Sequence, residues 1–176
     1  MPDPFETFGV EASFDLDVAA LAKRHRSLSG ALHPDRYVGR PAAERRMALD
    51  RAIDVNAAWR ILRDPVRRAE ALLQRHGVSV GEGGEPQASP ALLMQMMEVR
   101  EALAEASAAK DLDKIGDLAE RMRDRERSVA AQLLEGFRAA GADADSLTAL
   151  LPILGEMRYL RRFFEEVEAI EEQLVA

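Results

Sequence analysis

The chain has 176 residues, the size of one ordinary domain or two small ones, and 47% of them are hydrophobic, enough for a buried core in each half. It contains no cysteine, which excludes disulfides, thiolate zinc sites, cysteine-ligated clusters and a cysteine nucleophile. The net charge of −7 is uneven: residues 1–80 carry 13 basic and 11 acidic side chains, whereas residues 81–176 carry 11 basic and 20 acidic. An acidic second half lacks the positive potential that phosphate binding needs, so nucleic acid is not expected as a partner, and the two halves suit different partners.

Ala, Leu, Glu and Arg dominate, all strong helix formers, and no run of alternating β-branched residues is long enough for a strand. The expected fold is all-α. The N-terminus "MPDPFETFGV" has neither a basic nor an apolar signal region, and no apolar run approaches the ~20 residues of a membrane span. The expectation is a cytoplasmic protein with no membrane partner.

In chain order, a short helix is expected at about Pro4 to Phe8. A second starts after Asp15, taken as its N-cap, and runs to Leu32 with an apolar stripe of Val18, Leu21, Leu28 and Leu32. A third begins after Pro41, and its stripe is Ala48, Ala52, Val55, Trp59 and Leu62. A fourth follows Asp64-Pro65, carries Val66, Ala69, Leu72 and Leu73, and ends at Gly77. The second and third are separated by an eight-residue break, so they bury their stripes by packing antiparallel, with the break exposed at one end. "HGVSVGEGGEPQASP", residues 76 to 90, is rich in Gly, Ser and Pro and reads as a linker. The expected division is 1–77, a linker at 78–89, and 90–176.

After the linker, helices are expected at about Pro90 to Ala109, Asp111 to Phe137 and Asp145 to Leu174, forming an antiparallel bundle. Pro152 falls near the start of the last, which either begins there or is kinked. The first of these helices has too many apolar residues for one face. Leu92, Met96, Val99 and Leu103 make a core stripe, while Leu93, Met94 and Met97 lie off it beside Glu98, Arg100 and Glu101. In the last helix the stripe is Met157, Leu160, Phe164 and Val167, with Tyr159 and Phe163 to one side. Off-stripe apolar residues rimmed by charge suit a protein-binding patch, and methionine adapts readily to a partner surface. A broad buried face of the bundle is the competing explanation.

The break contains "LHPDRY". His33 and Asp35 can form an acid/base pair, but there is no Gly-rich phosphate loop, paired-carboxylate constellation or HExxH spacing beside them, and no metal-ligand cluster. As a bare tripeptide it is a turn: Pro34 disfavours helix at His33, and Asp35 bonds nearby amides. No catalytic residue, metal or cofactor is assigned.

Context adds a resemblance. A tripeptide His-Pro-Asp between two amphipathic helices, preceded by Lys23, Arg24 and Arg26 and followed by "NAAWRILRDPVRRAEALL", resembles the J-domain, the module that docks on DnaK-type chaperone ATPases. Together with "DPFETFGV", "FDLDVAALAKRHRSL", "LLMQMMEVREAL" and "MRYLRRFFEEVEAIEEQL", it resembles the HscB-type co-chaperones over nearly the full length. The resemblance implies a J-domain followed by a three-helix scaffold-binding domain, and a non-enzymatic protein. Such a protein hands an IscU-like iron–sulfur scaffold to an HscA-like chaperone and stimulates that chaperone's ATPase. It implies chaperone contacts at His33, Pro34, Asp35 and Arg36, with Lys23, Arg24 and Arg26 as a steering face. It implies scaffold contacts at Leu93, Met94, Met97, Glu98, Arg100, Glu101 and Tyr159. The rivals are a J-protein delivering another client and a small His/Asp-dependent hydrolase.

The chain departs from the family pattern in three places. Arg36 stands where lysine is usual, Ser29-Gly30 thins the basic patch and weakens the helix end, and "GADADSLTALLPILG" leaves the entry to the last helix open. "RMRDRERS", 121 to 128, reads as a solvated surface with helix charge pairs, Trp59 as core, and His25 and His76 as surface or partly buried residues.

Overall fold

The structure, a computed structural model, describes residues 2–81 and 89–175, the last by its backbone alone, and every regular element among them is helical. It divides into two compact units, Met1–His76 and Gly77–Ala176. Most of the expected linker, residues 82–88, lies outside the described residues.

The first unit holds α1 (Pro4–Phe8), α2 (Val18–Ala31), a 3-10 turn (Pro34–Tyr37), α3 (Ala42–Leu62) and α4 (Pro65–Arg75). Asp3 caps α1 by accepting from the Phe5 and Glu6 amides, and Gly9 ends it in the left-handed region at φ 56°. The cap of α2 is Asp17, which accepts from the Ala20 amide at 2.9 Å, and not Asp15. An Asp two residues nearer the helix meets the N3 amide, whereas Asp15 is left in the preceding loop. Asp64 caps α4 through the Val66 and Arg67 amides, with Pro65 at the first helical position. Gly77 follows the His76 cap at φ 79°, a conformation that suits glycine.

The core of this unit is Phe5, Phe8, Leu21, Val55, Ala58, Leu62, Val66, Ala69, Leu72 and Leu73. Each large side chain buried there stabilises by about 1.5–3 kcal/mol. α2 contributes least, since Leu21 alone is fully buried, Leu28 and Leu32 are half-buried and Val18 is exposed. Its hold on α3 is partly polar. His25 stacks on Trp59 with ring centroids 5.1 Å apart, and its Nε2 lies 2.9 Å from Asn56 Oδ1 and 3.3 Å from Ser29 Oγ. Trp59 is half-buried and also stacks against Phe8.

Arg68 is a buried cation that sequence reasoning passed over. Its Nε donates to the Leu62 carbonyl and its Nη1 to the Phe14 carbonyl, both at 2.7 Å, while the guanidinium lies over the Phe14 ring. It ties the end of α3 and the loop before α2 to α4. Burial pulls the guanidinium below its ordinary range, and Asp64 and Asp15 push it back up.

The second unit holds α5 (Pro90–Ala108), α6 (Leu112–Ala140), α7 (Ala144–Thr148) and α8 (Leu151–Val175). Helices α5, α6 and α8 form the bundle. Leu103, Ala106, Ile115, Leu118, Ala119, Phe163 and Val167 make one core cluster, with Val99, Met122, Tyr159 and Phe164 packed against it. Arg125 of α6 pairs with the nearly buried Glu156 of α8, and Gly136 of α6 lies against Leu150 just before α8, so the two helices run antiparallel. Met96 and Arg100 of α5 meet Tyr159 and Glu166 of α8 in the same sequence order, so that pair is parallel.

Of the two alternatives at Pro152, a start there holds, while the expected start at Asp145 and two further expectations for this half are corrected. The segment before Pro152 is a separate short helix capped by Asp143, and α8 starts afresh at Leu151, where a proline at the second position lacks only a donor the first turn does not use. Phe163, expected beside the stripe, is in the core, while Phe164 is only half-buried and meets Phe163 edge to face at 5.6 Å. The arginines of 121–128 are more than solvated surface: Arg125 reaches Glu156, and Arg123 lies over Phe164. Glu156 raises the basicity of Arg125 through their hydrogen bond.

Candidate functional sites

One candidate site is the tip after α2. The α2 helix ends at Ala31, capped by Leu32, and His33 is extended (φ −60°, ψ 134°), as the following proline requires. His33 caps the 3-10 turn with its own ring: Nδ1 accepts from the Asp35 amide at 3.3 Å, which places the neutral ring's proton on Nε2. Asp35 Oδ2 lies 3.4 Å from the same Nδ1. His33, Pro34, Asp35 and Arg36 are all exposed, with the Asp35 side chain 86% accessible. Arg36 Nη1 reaches back to the Gly30 carbonyl at 3.5 Å, the end of α2 that the glycine leaves thin.

Lys23 and Arg26, three residues apart, are exposed on α2, about 10–15 Å along the helix from His33 at 1.5 Å per residue. Arg24 is set apart from them: a Cβ added at Gly9 would stand 2.8 Å from its Nη2, so this guanidinium packs over the end of α1 while still reaching solvent. Sequence reasoning missed four apolar side chains after the tip that are more than half exposed, Val38 in the loop and Met47, Leu49 and Ile53 on α3. The off-stripe i, i+4 pair Leu49 and Ile53 was the readable signal.

The other candidate site is the outer face of α5 with its border on α8. Leu93, Met94 and Met97 are exposed, whereas Met96 is buried, so the off-stripe residues do point away from the core. Glu98, Arg100 and Glu101 are exposed around them. Tyr159 is half-buried, and its hydroxyl donates to the Met96 carbonyl at 2.8 Å. Burial holds the phenol above its ordinary range, with Arg100 opposing, so it remains a donor. Arg100 Nη2 lies 3.4 Å from Glu166 Oε2, making Glu166 an unforeseen member of the border. These two links from α8 fix the α5 face as a firm surface.

Among the described residues no group of three or more His, Asp or Glu side chains is placed to hold a metal ion, and no helix is long and apolar enough to cross a membrane.

The chain resembles known proteins along its whole length. Residues 88–168 match the HSCB C-terminal oligomerisation domain family. The co-chaperone protein HscB homolog of Burkholderia vietnamiensis is 36% identical over 170 residues, 97% of this chain and 94% of the relative. That of Ralstonia nicotianae is 39% identical over 150 residues, 84% of this chain and 85% of the relative. Among solved structures, chaperone HscB from Vibrio cholerae superposes with a TM-score of 0.81 at 29% identity, covering 98% of this chain and 99% of the other. Human co-chaperone protein HscB shares the fold, with a TM-score of 0.85 at 24% identity over 97% of this chain and 83% of the other. With helical units that bear an exposed His-Pro-Asp turn and an exposed apolar face, and with relatives matched from end to end, the chain belongs to the HscB family of co-chaperones.

Proposed function

We propose that the chain joins an IscU-like iron–sulfur scaffold protein to an HscA-like, DnaK-type chaperone, delivers the first to the second and stimulates the chaperone's ATPase, thereby promoting cluster transfer. The observation that carries this reading is the pair of exposed surfaces of opposite character, one on each compact unit of a family member: a polar, pre-shaped turn at residues 33–36 and an apolar face at residues 93–97. His33, Pro34, Asp35 and Arg36 make the chaperone contact, with Lys23, Arg24 and Arg26 steering the approach. Asp35 offers a carboxylate for a charge-assisted bond to a chaperone cation, worth about 1.5–3 kcal/mol. Pro34 and the His33 cap fix the turn in advance, so less ordering entropy is lost on docking. Nucleotide, Mg²⁺ and the hydrolytic groups belong to the partner, and this chain shifts the partner's conformational equilibrium.

Leu93, Met94 and Met97 supply the apolar centre of the scaffold contact, and Glu98, Arg100, Glu101 and Tyr159 its polar rim. The test is a Leu93→Ala/Met97→Ala double variant, measured by calorimetric titration with an IscU-like scaffold. Truncating two central apolar contacts weakens binding at least tenfold, while stimulation of the chaperone ATPase without scaffold is unchanged. Unchanged scaffold affinity contradicts the assignment. A second reading, self-association through the same face, draws support from the matched family's description as an oligomerisation domain; sedimentation of the same variant separates the two.

A further inference from the structure

Among the described residues, the methionines of this cysteine-free chain are very unequally placed. Met96 and Met157 are buried, at 6% and 1% exposure, and Met122 is packed against the α5–α6–α8 core. Met94 and Met97 stand at 64% and 71% exposure, three residues apart on α5 at the centre of the apolar face. With no thiol in the chain to react first, exposed thioethers are its most oxidisable groups. We propose that Met94 and Met97 form a reversible oxidation site, at which peroxide converts both thioethers to sulfoxides and releases the scaffold partner. This rests on the scaffold-binding reading given above.

The chemistry balances without any group from elsewhere in the protein. Hydrogen peroxide transfers one oxygen atom to each sulfur: an S–O bond forms, the O–O bond breaks, the sulfur is oxidised by two electrons, and the peroxide leaves as water. A dithiol-dependent sulfoxide reductase returns the thioether, taking the oxygen off as water while its own thiols close to a disulfide.

The consequence follows from the neighbours. A sulfoxide oxygen is a strong acceptor, and Leu93 and the two methionines offer it no side-chain donor. Four residues on from Met94 and Met97 are Glu98 and Glu101, carboxylates that also only accept; the donor-bearing neighbour is Arg100, three residues on from Met97. The cation on this stretch of α5 is Arg100, which already lies 3.4 Å from Glu166. A sulfoxide covered by a partner is therefore desolvated beside acceptors, the costliest arrangement for a polar group. The fold itself is spared, because the buried Met96 and Met157 are shielded from the oxidant.

The test treats the full chain with hydrogen peroxide and follows three readouts: peptide mass mapping, titration with an IscU-like scaffold, and titration again after the two epimer-specific methionine sulfoxide reductases acting together. The expected result is oxidation of Met94 and Met97 well before Met96 and Met157, a loss of affinity of tenfold or more, and recovery after the reductases. Met47, 56% exposed in the first unit, oxidises too; a Met47→Leu variant retains the full peroxide response. In a Met94→Leu/Met97→Leu variant, the ratio of affinities after and before peroxide is close to one, whatever its starting affinity. Oxidation that falls first on Met96 or Met157, intact binding by the oxidised chain, or a peroxide response that survives in the double leucine variant each overturns the inference. Absence of scaffold binding by the untreated chain overturns the functional reading, and the inference with it.

Discussion

Replacing Arg68 by methionine, which keeps the length and apolar stem of the side chain, removes the two donors that hold the Leu62 and Phe14 carbonyls, each at 2.7 Å. The stranded Leu62 carbonyl costs about 1–3 kcal/mol, while the Phe14 carbonyl keeps the Leu16 amide at 3.1 Å and loses only a charge-assisted bond worth about 1.5 kcal/mol. The lost cation–π contact adds about 1 kcal/mol, and relief from burying a guanidinium gives part of this back. The expected net loss for the first unit is about 3 kcal/mol, a large share of the ~4–11 kcal/mol that 76 residues of compact chain support. The chain's one tryptophan, Trp59, sits half-buried in this unit and stacks on His25, so its fluorescence reports this unit's unfolding. With a urea slope near 1 kcal/mol/M, the Trp59 midpoint falls by about 3 M. A fall of less than about 0.5 M refutes the account of Arg68 as the clasp between α4, the end of α3 and the loop before α2.

Two glycines predict opposite outcomes for one substitution. Gly30 has nothing within 4 Å of an added Cβ, so Gly30→Ala gains up to about 1 kcal/mol in Trp59-monitored unfolding by stiffening the end of α2. A Cβ at Gly136 collides with the buried Leu150 side chain, so Gly136→Ala destabilises the second unit by about 1 kcal/mol despite better helix propensity, as read by thermal unfolding. Burial holds the Glu126 carboxyl above its ordinary value near 4.5, with Arg123 partly opposing. A raised folded-state pKa means that the stability from this group is full below about 4.5 and is lost as pH rises through the folded value. Glu126→Gln therefore raises the stability of the second unit at pH 7 with little effect at pH 4, measured by hydrogen exchange along α6; a variant less stable at pH 7, or one with a pH-independent difference, contradicts this.

Much of the fold was legible because these helices announce themselves at their ends. Asp3, Asp64, Ser89 and Asp111 accept from first-turn amides of the helices they precede, and Pro4, Pro65 and Pro90 stand at first helical positions. The errors came where two local signals compete and only packing decides. Asp15 and Asp17 are equally good caps in the sequence, and the amide geometry of α2 selects the second. Phe163 and Phe164 differ by 100° around α8, and a stripe read at spacings of three and four admits either; the bundle took Phe163 inward. Arg68 was invisible because a charged residue on a helix reads as surface until the carbonyls it meets, one of them 54 residues away, are brought to it. For the α5 face, spacing alone put Leu93, Met94 and Met97 off the stripe, and their exposure agrees with that reading. It gave no sign of Glu166, whose link to Arg100 exists only once α5 and α8 lie side by side.

The central claim, that the 33–36 turn acts on a partner chaperone's ATPase, is tested most directly by His33→Gln. The His33 side chain is 59% accessible and its polar contacts among the described residues are local, to the Asp35 amide and carboxylate, so the substitution leaves stability within about 0.5 kcal/mol. The measurement is steady-state ATP hydrolysis by a cognate HscA-like chaperone with added wild-type or variant chain, alongside their Trp59 unfolding curves. The account predicts that a variant as stable as wild type no longer stimulates hydrolysis. Full stimulation by that variant contradicts it.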